Sequence, residues 1–70
     1  MNGIRIQLNG AEREIKVGGL LPLLQELGYE AEARGVAAAV NDQIVPRGEW
    51  ATHLLHEGDR VEIVGAVQGG

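Results

Sequence analysis

The sequence contains no cysteine and no phenylalanine, and only one tryptophan, one tyrosine and two prolines among its 70 residues. Without a thiol the chain has no cysteine nucleophile, no cysteine metal site, no redox pair and no disulfide. Any sulfur chemistry must therefore use something other than a side-chain thiol. With aromatic residues confined to Tyr29 and Trp50, the core has to be built from Leu, Ile, Val and Ala. Such a core is small and lacks cross-links, so marginal stability is expected. Basic residues are also scarce: Arg5, Arg13, Lys16, Arg34, Arg47 and Arg60 are scattered, no two adjacent, and the formal net charge is −4. Nucleic-acid binding needs a concentrated positive face that displaces counterions, and this pattern excludes it. The acidic excess favours solubility and suits a partner with a basic docking surface. No apolar run approaches the length of a membrane span, and no basic region followed by an apolar stretch opens the chain. A soluble, cytoplasmic protein without membrane association is the expectation.

Hydrophobic residues make up 44% of the chain and charged residues 23%, which predicts one packed domain over 1–70 rather than disorder. Ile4, Ile6 and Leu8 alternate with Arg5 and Gln7, as in a half-buried strand. Asn9-Gly10 is a strong hairpin signal, because a type I′ turn needs positive φ at both central residues. On the return strand Arg13, Ile15 and Val17 share one phase, while Glu12, Glu14 and Lys16 share the solvent-facing other. Gly18-Gly19 ends it. Leu20, Leu23, Leu24 and Leu27 then form one stripe of an amphipathic helix, with Gly19 as the substitute cap, Pro22 in the first turn and Gly28 at the left-handed position beyond the end. The polar stretch Tyr29 to Arg34 fits a further helical turn or a loop.

In Val36-Ala37-Ala38-Ala39-Val40 the three alanines favour helix, but the terminal valines, the preceding Gly35 and the Asn41-Asp42 turn signal tip the reading to a strand. Ile44-Val45 is a brief second strand whose end at Pro46 suits a sheet edge. Gly48 to His56 fits a short turn or two of helix, and Glu57-Gly58-Asp59 turns the chain into a last strand. There Val61 and Ile63 face inward, Arg60 and Glu62 outward. A single helical stripe and a single sheet predict an α+β fold, a mixed sheet of about five strands with one main helix across one face. Setting the last strand in the middle of the sheet, parallel to the first, covers its apolar phase. That is a β-grasp arrangement, and it sends residues 67–70 out past the end of the sheet as a flexible diglycine tail. Gly69 and Gly70, without a Cβ, can enter a channel too narrow for other residues.

The block Val40-Asn41-Asp42-Gln43-Ile44-Val45-Pro46-Arg47-Gly48-Glu49-Trp50 resembles the V-N-x-x-x-V-P-R-x-x-W signature of the ThiS family of thiamine-biosynthesis sulfur carriers. Gly58-Asp59-Arg60-Val61-Glu62-Ile63 and the final Gly69-Gly70 are similar to that family's G-D-x-V-E-I strand and diglycine end, so the resemblance spans nearly the whole chain. Gly19, where a hydroxyl cap would be expected, and Pro22 at the helix entrance are its departures. The resemblance implies a ubiquitin-like protein cosubstrate rather than an enzyme. A ubiquitin-activating-type adenylyltransferase, holding ATP and magnesium, would join AMP to the Gly70 carboxylate. A persulfide from a sulfur donor system would displace AMP, and the resulting thiocarboxylate would pass its sulfur to thiazole synthase. Gly70 is then the covalent attachment point, with Gly69 and Gln68 threading into the partner. No cofactor is expected on this chain, whose glycine pairs do not match a phosphate loop. A molybdopterin-type or other metabolite sulfur carrier, or a β-grasp module that binds partners without chemistry at its end, are the alternatives.

Docking falls to the surface around the tail. Val64 and Ala66 lie in the outward phase of Glu62, beside Ala37 and Ala39 if that strand turns its even positions inward, and would form a flat apolar patch. Glu62, Val64, Ala66 and Val67 are the candidate partner-facing residues, with Asp59 and Glu62 available to basic groups on a partner. His53 and His56 lack a clear third ligand and read as surface residues rather than a metal site. Trp50 reads as a lid over the core, with an interface anchor as the other role open to it. No carboxylate pair is placed for acid–base catalysis.

Overall fold

The computed structural model describes residues 3–30 and 34–65. Strand β1 (Ile4–Leu8) turns through Asn9 and Gly10, at φ 51° and 84°, into β2 (Ala11–Ile15). Both turn residues have the positive φ of a type I′ hairpin, and the register pairs Ile4 with Ile15 and Leu8 with Ala11. The return strand stops at Ile15, two residues short of the expected Val17. Arg13 sits opposite the buried Ile6 on the inner face, yet stays exposed because β2 is an outer strand.

Helix α1 (Leu20–Glu26) is seven residues long. A helix this short is unstable alone in water, so burial must hold it. Leu20, Leu23 and Leu24 are fully buried, each contributing about 1.5–3 kcal/mol. Gly19 gives no side-chain cap, and the loop 50–55 replaces it. The Leu20 N–H donates to His53 O at 2.9 Å and the Leu21 N–H to Trp50 O at 3.1 Å. Pro22 has no N–H to satisfy, so the two departures at the helix entrance leave no free donor there. At the other end Gly28 (φ 102°) donates to Gln25 O and Tyr29 to Leu24 O. These two bonds make a Schellman cap.

Strand β3 (Val36–Val40) leads through Asn41 and Asp42, both at positive φ, into β4 (Gln43–Ile44). The two-residue turn places Gln43 opposite Val40, so pairing starts one residue earlier than the expected Ile44-Val45 strand. One further bond follows, from the Val45 N–H to Ala38 O. A 3-10 turn (Arg47–Glu49) supplies the expected short helical piece, and β5 (Arg60–Gly65) ends the described chain. The sheet order is β2-β1-β5-β3-β4, with β5 parallel to β1 and antiparallel to β3. β5 is central, β4 is an edge strand, and the helix covers one face: the β-grasp arrangement.

Trp50 is not a lid. At 2% exposure it lies within the core beside Val45, Leu55 and the leucines of α1, and its indole N–H donates to Val45 O at 3.0 Å. That burial removes the interface-anchor role.

Candidate functional site

Residues 66–70, which include the expected tail Val67, Gln68, Gly69 and Gly70 and the candidate interface residue Ala66, lie outside the described residues. The site accessible to description is the strand that leads to them and the surface around it.

β5 is gripped on both sides by asparagines from the two hairpin turns. Asn9 Oδ1 accepts from the Ile63 N–H at 2.8 Å, and its Nδ2 donates to Ile63 O at 3.2 Å. β1 has by then ended, so the Asn9 amide continues its ladder for one more residue. On the other side Asn41 Oδ1 accepts from the Arg60 N–H at 2.9 Å, the Asn41 N–H donates to Arg60 O at 2.7 Å, and Nδ2 donates to Asp59 Oδ1 at 3.0 Å. Asparagine suits both places because it tolerates positive φ and carries a donor and an acceptor. Replacing Asn9, whose bonds are partly buried, with Ala should cost about 1–3 kcal/mol, and the exposed Asn41→Ala about 1 kcal/mol. A shift of the urea midpoint at unchanged slope checks both.

The signature block therefore has a structural use. Val40 and Val45 are buried, Asn41 holds the start of β5, Pro46 precedes the 3-10 turn, and Trp50 closes the core. Asp59, expected to face a partner, is occupied within the chain: Oδ2 accepts the His56 N–H at 2.8 Å and Oδ1 the Asn41 amide. Glu62 is exposed, on the outer face as expected.

The outer face of the sheet carries the apolar patch. Val64 is 66% exposed and pairs with exposed Ala37, while Glu62 pairs with Ala39. Ala38 and Val40 point inward, so β3 does turn its even positions to the core. Ile44, 71% exposed, pairs with Ala39 and so shares its face, extending the patch to the edge strand. Sequence reading missed Ile44. The two-residue spacing of Asn41-Asp42 was the available signal, because it sets Ala39 opposite Ile44 and facing pairs share a face. Tyr29 and Gly65 were missed as well: Tyr29 packs on the core at the helix end, against Gly65, where β5 ends.

His53 and His56 do not join this surface. They line an open groove of about 470 Å³ with Val40, Asn41, Gln43, Thr52, Leu54 and Asp59. The groove lies by the start of β5, whereas Gly65 pairs with Val36 at the other end of the sheet. Among the described residues no group of three or more His, Asp or Glu side chains is placed to hold a metal, and no helix is long and apolar enough to cross a membrane.

Comparison with known proteins agrees with this architecture. The crystal structure of the thiamine biosynthesis protein (ThiS) from Geobacter metallireducens has a TM-score of 0.76 at 23% identity, covering 96% of this chain and 100% of that one. At that identity the likeness speaks for the fold alone. The sulfur carrier protein ThiS of Escherichia coli is 40% identical over 48 residues, 69% of this chain and 70% of that protein. A thiazole synthase of Paramagnetospirillum magneticum is 35% identical over 68 residues, 96% of this chain but only 20% of that protein. The ThiS family model matches residues 6–70, from β1 through the diglycine, and the chain belongs to the ThiS family.

Proposed function

We propose that this chain is a sulfur carrier for thiazole assembly in thiamine biosynthesis, a protein cosubstrate whose reacting group is the Gly70 carboxylate. The observation that carries the reading is the family match, which runs unbroken through β5 and the diglycine to residue 70. A free carboxylate is a poor acyl electrophile. Attack of its oxygen on the α-phosphorus of ATP, in an adenylyltransferase that also holds magnesium, releases pyrophosphate and leaves an acyl adenylate. The terminal sulfur of a persulfide then attacks the acyl carbon and expels AMP. A second thiolate cleaves the S–S bond of the acyl disulfide, leaving a thiocarboxylate on Gly70 and a disulfide on the donor side. Thiazole synthase is the acceptor that fits: a curated thiazole synthase contains a stretch similar to nearly all of this chain.

The described residues support the docking half of this reading. Val64, Ala37, Ala39 and Ile44 give a contiguous apolar surface bordered by Glu62 on the strand that runs toward the tail. Val64 and Glu62 are the described members of the interface proposed around the tail, with Ala66 and Val67 next along the chain and Gly69 and Gln68 threading into the active site. Pyrophosphate exchange into ATP, catalysed by the cognate adenylyltransferase, tests the proposal. Wild-type chain should support exchange, and Val64→Asp should raise KM for the carrier on the order of tenfold or more, in line with loss of a central interface residue. No exchange with the wild-type chain, from an enzyme active on its own carrier, would overturn it.

A further inference from the structure

We propose that Tyr29 is a positioning residue for the end of β5: its ring, held by the helix cap, packs on Gly65 and fixes the last residue of the strand, the one that precedes 66–70 in the sequence. The inference rests on the sulfur-carrier reading for its functional consequence, but not for its structural one.

Three observations carry it. Tyr29 is the residue that completes the Schellman cap, its N–H bonded to Leu24 O at 2.9 Å, so its backbone is fixed to the end of α1. The side chain is half-buried against the core, on the helix side of the sheet. A Cβ at Gly65 would stand 2.9 Å from Tyr29 Oη, 3.0 Å from Cε1 and 3.2 Å from Cζ. A Cβ essentially never stands at the first of these distances, so the ring occupies the space a side chain at Gly65 would need.

Gly65 does not have the positive φ that marks Gly10, Gly28, Gly35 and Gly58. Its backbone conformation is open to other residues, and the reason for glycine here is the space the tyrosine takes. Gly65 is also the last residue of β5, two residues beyond the Ile63 that Asn9 holds. Asn9 reaches only as far as Ile63, and on the other side the β3 ladder ends with the Val36–Gly65 pair. The Tyr29 ring is thus the contact from the helix layer at the last residue of the strand. A strand end ordered before binding spares the partner enzyme the entropy of ordering it, and that difference falls on KM rather than on kcat.

The test combines a measurement on the carrier alone with one on its activation. Backbone 15N relaxation of Tyr29→Ala should show the Gly65 amide falling from a rigid order parameter of about 0.85 toward 0.6 or below, with β1 and β3 unchanged. In pyrophosphate exchange the same variant should raise KM for the carrier about 5- to 30-fold, the equivalent of ordering one backbone residue, with kcat unchanged. Tyr29→Phe keeps the ring and should restore both values. Gly65→Ala, which forces the ring aside, should raise KM as Tyr29→Ala does, and the double variant should be no worse than Tyr29→Ala alone. An unchanged Gly65 order parameter in Tyr29→Ala overturns the proposal whatever the kinetics. A loosened Gly65 with unchanged KM overturns its link to transfer. An ordered wild-type Gly65 without any exchange activity counts against the sulfur-carrier reading instead.

Discussion

Removing Gly69 and Gly70 is expected to abolish adenylation and sulfur loading while leaving thermal unfolding unchanged. Each part has its own cause. The buried hydrophobic residues identified in the core run from Ile6 to Ile63, and the grip of Asn9 and Asn41 on β5 reaches no further than Ile63. The fold thus has its support upstream of the deletion. Chemistry at the terminus is far more sensitive. Shortening the chain by two residues withdraws the carboxylate from the activating enzyme's nucleotide by several ångströms, and a misplacement of about 1 Å alone can cost about a hundredfold. Exchange should fall by on the order of a thousandfold or more. A truncated chain that still supports exchange would show that the reacting group is not at Gly70.

Trp50→Ala has the largest effect expected on stability. The residue is 2% exposed, belongs to the loop that caps α1, clusters with the helix leucines, and is the one tryptophan in the core. Truncating a buried Trp costs about 3–5 kcal/mol. A core of this size, with no disulfide, supplies little more than about 3–5 kcal/mol in total. The variant should be largely unfolded at room temperature by far-ultraviolet circular dichroism. Trp50→Phe keeps most of the apolar contact but leaves Val45 O without its indole donor, at a cost of about 1–3 kcal/mol. A Trp50→Ala chain with a near wild-type urea midpoint would contradict the placement of Trp50 at the centre of the core.

Much of the architecture was legible in local patterns. Alternation marked β1 and β5, the flanking glycine, valines and turn signal marked β3, Asn9-Gly10 marked the first turn, and the leucine stripe marked α1, because each signal depends on neighbours a few residues away. What escaped depended on distant partners. The helix start offered only Gly19 as a substitute cap, since its N–H groups are satisfied by Trp50 and His53 carbonyls some thirty residues on. Trp50 looked like a lid because burial of one aromatic is decided by the sheet and helix packed around it rather than by its own segment. Asp59 looked free for a partner until the fold brought Asn41 beside it. The exposed apolar patch was half visible: Val64, Ala37 and Ala39 followed from strand phase, while Ile44 needed the register of β3 with β4. Tyr29 over Gly65 is a contact between residues far apart in the chain, and no periodicity announces it.

The most direct test of the central claim is the intact mass of the chain after incubation with ATP, its adenylyltransferase and a persulfide donor. The account predicts a gain equal to one oxygen replaced by sulfur, located at Gly70 by fragmentation, and absent when ATP is omitted. An unchanged mass, under conditions in which the same enzyme loads its own carrier, would contradict it and leave a β-grasp module that binds without chemistry at its end.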